Sequence, residues 1–447
     1  MIGNKARLTE GSVGMSLIKL TGPMVIGMVS MVIFNLTDTF FVGKLGTDQL
    51  AALSFTFPVV LFIISLALGL GMGAMALISH AVGEKDQEKV RRLTTDSLML
   101  ALVIVIIFAV AGLLTIEPLF KALGASSDLI EHIIVYMRIW YMSLIVVMVP
   151  MVGNNAIRSL GDTKTPAMIM TVAAVLNIIL DPLFIFGIGF FPRLEIAGAA
   201  VATLISRAVA LVISLYVLTH REHMLTFKRV AFSIMFKSWK NILYIGIPTA
   251  ASRMLGPVAL GVITRIIASY GKEYVAAFGV STRIEFFSLA VLAALATVLG
   301  PFVGQNLGAK EYGRVKKSIS FSSRFSVIWG LFAYLVLFVI ARPLAGLFNR
   351  DPLVISTVVL YLRIAAAGLI FHGILHLSVS VLNVIKKPFH AASVTIIQLF
   401  VLYVPLAMLG SYLWGVKGVM VSIAVSYSAG GIISYIMMRR TLLKVLA

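Results

Sequence analysis

Three carboxylates stand inside long apolar stretches of this chain: Asp38, Asp181 and Glu285. An ionisable group in a hydrocarbon-bounded helix is costly, so its retention points to a task such as holding a proton or an ion. The surroundings of Asp181 are informative. Asn177 lies four residues earlier and shares its helix face, while Asn154 and Asn155 precede it, and Thr203 follows it, on neighbouring apolar stretches. Burial disfavours a charged carboxylate, and a second carboxylate nearby disfavours it further. Asp38 and Asp181 together could therefore take up a proton and release it when exposed to a different side. The same oxygen-rich set, with Asn154 and Asn177, could instead hold a desolvated Na+ ion, so both coupling ions stay open.

The other polar groups in apolar stretches call for plainer roles. Glu285, two residues from Arg283 and at about the depth of Arg253, is expected to form an interior ion pair. His372 and His376 share a helix face, but no third ligand lies near them in sequence, and with no cysteine in the chain neither a metal nor a cofactor is expected. Pro23, fifteen residues before Asp38, removes a helical hydrogen bond and is the candidate conformational hinge. Met31, Phe34, Tyr136, Met151 and Met170 could line a cavity with an adaptable apolar surface that accepts flat hydrophobic cations.

These residues need a scaffold, and the composition identifies its solvent. The chain of 447 residues is 60% hydrophobic and 12% charged, with a mean hydropathy of +1.02. Stretches of roughly 20 or more mainly apolar residues predict twelve transmembrane helices, near 14–43, 48–80, 91–116, 127–158, 165–188, 196–219, 239–270, 274–304, 312–341, 353–385, 389–413 and 416–438. The segment Met1 to Gly11 reads as a short polar leader, and the apolar stretch after it is too long for a removable signal, so the first helix is retained. A net charge of +19 could indicate nucleic acid, but the cations sit between apolar spans rather than on a soluble basic face. With the N-terminus in the cytoplasm, 22 cations fall on inner segments and 7 on outer ones. That asymmetry places both termini in the cytoplasm, and the expected location is a bacterial or archaeal inner membrane.

An internal repeat divides the chain. Leu45-Gly46-Thr47-Asp48 with Ala51-Ala52 corresponds to Tyr270-Gly271-Lys272-Glu273 with Ala276-Ala277, at a shift of 225 residues, and Gly198 to Ser206 resembles Gly418 to Ser426. The predicted fold class is an all-α polytopic membrane protein of two pseudo-symmetric six-helix lobes around a central cavity. The N-lobe is 1–222, a cytoplasmic linker 223–238 and the C-lobe 239–447. Six helices is an even number, so the halves are parallel repeats of the kind that rock about a central site. The two lobes already supply the symmetry, so a monomer is expected.

Gly22-Pro23, Asp38 to Gly43 (DTFFVG), Arg158 to Pro166 (RSLGDTKTP), Asn177 to Gly187 (NIILDPLFIFG), Gly198 to Ala202 (GAAVA) and Gly246-Ile247-Pro248 occur here in the order and duplicated frame of one family. Across essentially its whole length the chain resembles the multidrug and toxin extrusion (MATE) family, and within it the DinF-like branch. The resemblance implies that Asp38, Asn154, Asn177 and Asp181 form a cation or proton site. It also sets Tyr136 and Thr203 beside the substrate candidates Met31, Phe34 and Met170. NorM-like members carry acids in helices seven and ten, where this chain has Gly256 and His372, a departure that favours H+ over Na+. The implied activity is antiport, not enzymatic catalysis: hydrophobic cationic drugs and dyes leave as the ion enters. A lipid-linked oligosaccharide flippase is the alternative, although its cavity would be lined with basic residues rather than these acids.

Overall fold

The structure, a computed structural model, describes residues 8–226, 228 and 231–446. Among them every regular element is helical. The first six spans are α1 (Val13–Gly43), α2 (Thr47–Gly83), α3 (Gln87–Ala122), the pair α4 (Ser127–Met142) and α5 (Leu144–Ser159), α6 (Lys164–Phe186) and α7 (Ile196–Tyr216). The second six are α8 (Phe232–Ala268), α9 (Lys272–Gly308), α10 (Tyr312–Phe348), α11 (Pro352–Ile364) with α12 (Leu369–Val384), and then α13 (Pro388–Ile396) and α14 (Val404–Leu446). Ten stretches are long and apolar enough to cross a bilayer, and the pair α4–α5, bent by 46°, adds another. The last stretch, residues 388–446, is broken at Trp414 and Gly415, where the backbone leaves helical geometry, so twelve spans result.

The repeat is exact enough in the backbone to show why the sequence register of 225 recurs. Helices α2 and α9 are both 37 residues long, and Gly46 and Gly271 precede them with φ of 151° and 130°. Lys85 and Lys310, just after them, both adopt φ of 60°. This left-handed turn reverses the chain at the membrane surface and lets the next helix start within two residues. Asp86 caps α3 by accepting from the Lys89 backbone N–H at 2.9 Å, one of the amides that a helix start leaves without a partner.

Several boundaries differ from the sequence reading. The linker assigned to 223–238 is shorter, because α8 already begins at Phe232; residues 227, 229 and 230 of that linker lie outside the described residues. Helix four is interrupted at Ser143, whose hydroxyl donates to the Trp140 carbonyl at 2.7 Å. Helix ten is interrupted by a 3-10 turn, Ala365–Gly368.

Packing also cuts across the division made on sequence. One compact unit comprises residues 22–250, and the other comprises 8–21 with 251–446. The first turns of α1 belong to the second unit because Arg314 gathers the segment before them. Its guanidinium donates to the carbonyls of Gly11 at 2.8 Å, Glu10 at 2.9 Å and Leu8 at 3.1 Å. The first half of α8 belongs to the first unit because Gly69 and Gly73 of α2 let its backbone approach. A Cβ at those glycines would stand 2.3 Å from the Gly246 carbonyl oxygen and 2.4 Å from that of Ile242.

The hairpins closing the two repeats use the same device. A Cβ on Gly198 would meet the Phe184 carbonyl oxygen at 2.4 Å, and one on Gly418 would meet that of Gly410 at 1.9 Å. Backbone cannot yield as a side-chain tip can, so overpacking there costs about 1–3 kcal/mol. Gly418→Ala is therefore expected to lower the unfolding midpoint in detergent by several degrees. Gly346→Ala, with nothing within 4 Å of its Cβ position, should leave it unchanged.

Candidate ion site in the first unit

Helices α1 and α6 run in the same direction, side by side. Gly27 lets α1 approach Ala167, whose Cα would be 3.0 Å from a Cβ there. Further along, the Ser30 and Thr171 hydroxyls are hydrogen-bonded at 3.0 Å, and the Phe41 and Phe186 rings meet edge-on at 6.1 Å. Between residues 27 and 41, the contacts of α1 thus fall 140 to 145 positions later on α6. That register puts Asp38 opposite Asp181, and the two carboxyls lie within electrostatic reach of each other.

The Asn177 amide donates to Asp181 Oδ1 at 2.9 Å, and both side chains are fully buried. Tyr136 on α4 is buried within electrostatic reach of both acids. Asn154 on α5 and Thr203 on α7 are buried as well, on helices that pack against α6. Asp38 Oδ1, Asp181 Oδ2, Asn154 Oδ1 and Asn177 Oδ1 are all removed from solvent without a hydrogen-bond partner. An acceptor left in that state costs about 1–3 kcal/mol. The facing oxygens of Asp38 and Asp181, with Asn177 beside them, are suited to a proton or a cation.

The other sequence candidates distribute as follows. Phe34 is buried one turn before Asp38, and Met31 and Met170 are half-buried. Pro23 lies within α1, which runs on through it, and the change of α1 from one compact unit to the other falls at Gly22, the adjacent residue. From the sequence, Arg207 is expected only to snorkel or to pair. Its guanidinium carbon sits 4.8 Å from the centre of the Phe34 ring, and its Nε has no partner. The available signal was its spacing, four residues after Thr203 on the same helix face.

In the second unit the expected ion pair of Glu285 with Arg253 or Arg283 is not what forms. Tyr361 donates its hydroxyl to Glu285 Oε2, and Tyr427 hydrogen-bonds the same carboxyl. Tyr403 stacks on Tyr427 at 5.8 Å, and the His372 ring stacks on Tyr427 at 4.0 Å. Glu285 is buried while Arg283 is exposed, as two positions apart on a helix dictates, since i and i+2 do not share a face. His372 and His376 meet edge-on at 5.0 Å, and among the described residues no three acid, histidine or cysteine groups converge on a possible metal.

Twelve spans in two parallel repeats, with ionisable groups buried inside each, define the architecture of a polytopic secondary transporter. The family model described as MatE matches residues 23–183 and 248–409, and the chain belongs to that family of membrane transporters. It is 39% identical to the FAD transporter of Shewanella oneidensis over 435 residues, 97% of this chain and 96% of that one. It is 26% identical to the multidrug export protein MepA of Staphylococcus aureus, over 91% of this chain and 89% of that one. The fold matches the crystal structure of the Vibrio cholerae MATE transporter VcmN in the bent form with a TM-score of 0.92. That match has 30% identity and covers 97% of this chain and 98% of the other.

Two stability outcomes follow from these contacts. Asn177→Leu takes the donor from a buried carboxyl and should cost about 1–3 kcal/mol, most of which Asn177→Leu with Asp181→Leu should recover, as read by thermal unfolding. Tyr361→Phe should lower the midpoint, whereas Arg283→Gln should not; equal effects would restore the ion-pair reading of Glu285.

Proposed function

We propose that this protein is a cation-coupled exporter of organic compounds, with Asp38 and Asp181 as the ion site and H+ as the coupling ion. The observation that carries the reading is the pair of facing carboxyls on α1 and α6, with Asp38 Oδ1, Asp181 Oδ2 and the neighbouring Asn177 Oδ1 buried without a partner. A proton on one acid removes the repulsion between them, and its loss restores it. Since α1 carries both Asp38 and Pro23, a change at the acid is felt along the helix that joins the two compact units. The protein acts as a monomer in a bacterial or archaeal inner membrane with both termini in the cytoplasm, where the basic connections require them. The ion enters down its gradient and the cargo leaves.

For the cargo, hydrophobic cationic drugs and dyes fit an acidic site beside Phe34, Met31, Met170, Tyr136 and Thr203. The similarity to the multidrug export protein MepA supports that reading. A second reading is favoured by Arg207. A fixed cation stacked on an aromatic ring suits a flat ring system that bears phosphates, and the relative that is 39% identical is named an FAD transporter. Flavin adenine dinucleotide has both features: an isoalloxazine that stacks and a pyrophosphate that an arginine binds.

Vesicles containing the protein and loaded with ethidium or with FAD, under separately imposed pH and Na+ gradients, distinguish these readings. Movement driven by the pH gradient should fall at least tenfold in Asp38→Asn for whichever cargo is carried. Arg207→Gln should abolish movement of FAD and spare ethidium. Movement driven by Na+ alone would overturn the choice of ion, and gradient-independent movement would overturn coupling altogether.

A further inference from the structure

A cavity of about 670 Å3 lies in the first unit, away from the candidate ion site. Its volume falls in the range of about 300–1,000 Å3 that small-molecule sites occupy. Leu98 and Leu102 of α3, Val149 of α5 and Leu211 and Leu215 of α7 form its apolar wall. Met99, Leu102 and Ile145, also on its lining, are exposed on the surface of the unit, so the apolar end opens towards the hydrocarbon of the membrane.

The other end is polar and built from the first turns of α3. Asp96 lines the cavity with only 3% of its surface exposed, and its Oδ2 has no hydrogen-bond partner. Arg92, one turn earlier on the same face, lies within electrostatic reach of that carboxyl, and its Nε is likewise unpartnered. Ser238 of α8 stands beside the Asp96 carboxyl, and the Trp239 indole donates to the Asp96 backbone carbonyl at 2.9 Å, which holds this turn in place. Thr226 closes the polar end: its backbone N–H donates to the Thr95 hydroxyl at 3.0 Å. Lys228 also lines this end, its exposed ammonium 3.9 Å from Glu88.

The chemistry wanted here is that of one molecule with three parts. A cation that donates hydrogen bonds would satisfy Asp96, an anionic oxygen would satisfy Arg92, and an apolar tail would follow the leucine wall. From Asp96 to Leu102 the wall rises about 9 Å at 1.5 Å per residue, which accommodates the upper part of one acyl chain. A choline headgroup carries a cation with no N–H to donate, and a glycerol headgroup carries no cation. We infer that this cleft is a binding site for a phospholipid with a primary-amine headgroup, phosphatidylethanolamine, its ammonium on Asp96 and its phosphate on Arg92. The site lies at the end of the unit that carries the basic connections, and is independent of the coupling ion and of the cargo.

The test is native mass spectrometry of the delipidated full chain titrated with phosphatidylethanolamine, phosphatidylcholine and phosphatidylglycerol of matched acyl chains. The first adduct should form at least fivefold more tightly with phosphatidylethanolamine than with the other two, and Asp96→Asn should erase that preference. Equal uptake of phosphatidylethanolamine and phosphatidylcholine by the unmodified protein overturns the proposal, as does a preference for phosphatidylglycerol or one that survives in Asp96→Asn. Should Asp96→Asn fail to fold, a phosphatidylethanolamine bearing a diazirine on its acyl chain decides the matter in the unmodified protein. Crosslinks within residues 98–102 or 211–215 that unlabelled phosphatidylethanolamine competes away support the site, and crosslinks only elsewhere overturn it.

Discussion

Hydrocarbon offers no hydrogen bonds, and that constraint shapes this molecule from its backbone to its candidate ion site. Every buried polar group has to be satisfied from within the bundle. Many hydroxyls comply locally by donating to the carbonyl four residues earlier, as Thr21, Ser206, Thr249 and Ser281 do. Among the buried side-chain atoms without a partner are oxygens of Asp38, Asp181, Asn154 and Asn177, and the carboxyls of Asp38 and Asp181 lie within electrostatic reach of each other. Two facing carboxyls in such surroundings are what the proposed ion-driven function rests on.

The two repeats share a scaffold and differ in what they place on it. The register of 225 that relates α2 to α9 also relates Tyr136 to Tyr361. In the first unit the tyrosine stands near two acids, one of which accepts from Asn177; in the second it donates to one acid, Glu285, which a second tyrosine also holds. The position equivalent to Asp38 is Ile263, fully buried in an apolar cluster. One half thus sets two facing acids near its tyrosine and the other a single acid held by tyrosines, on helices of matching length and turn geometry. The division of labour comes from a few side chains, not from a difference in fold.

Close approach of backbones is the second recurring device. Gly198 and Gly418 allow a hairpin in each repeat, and Gly69 and Gly73 admit α8 to the first unit. Small residues at such crossings bring the dispersion contacts and polar side chains of adjacent helices within reach where lipid provides no hydrophobic drive for association. Gly27 does the same between α1 and α6, and in doing so sets the register that brings Asp38 to Asp181.

The sequence alone determined the spans, their duplication and the identity of the intramembrane acids. These depend on the length and polarity of contiguous stretches, which hydrocarbon thickness reads directly. It also determined that Asn177 and Asp181 share a face, because helix periodicity is local. It did not determine which unit the ends of α1 and α8 join, since that choice rests on Arg314 reaching three carbonyls some 300 residues away and on the glycines of α2. Nor could it pair Glu285 with tyrosines on α11 and α14 in place of a nearby arginine, or set Arg207 over Phe34. Those partners come from separate helices, and only tertiary packing decides which helix faces meet.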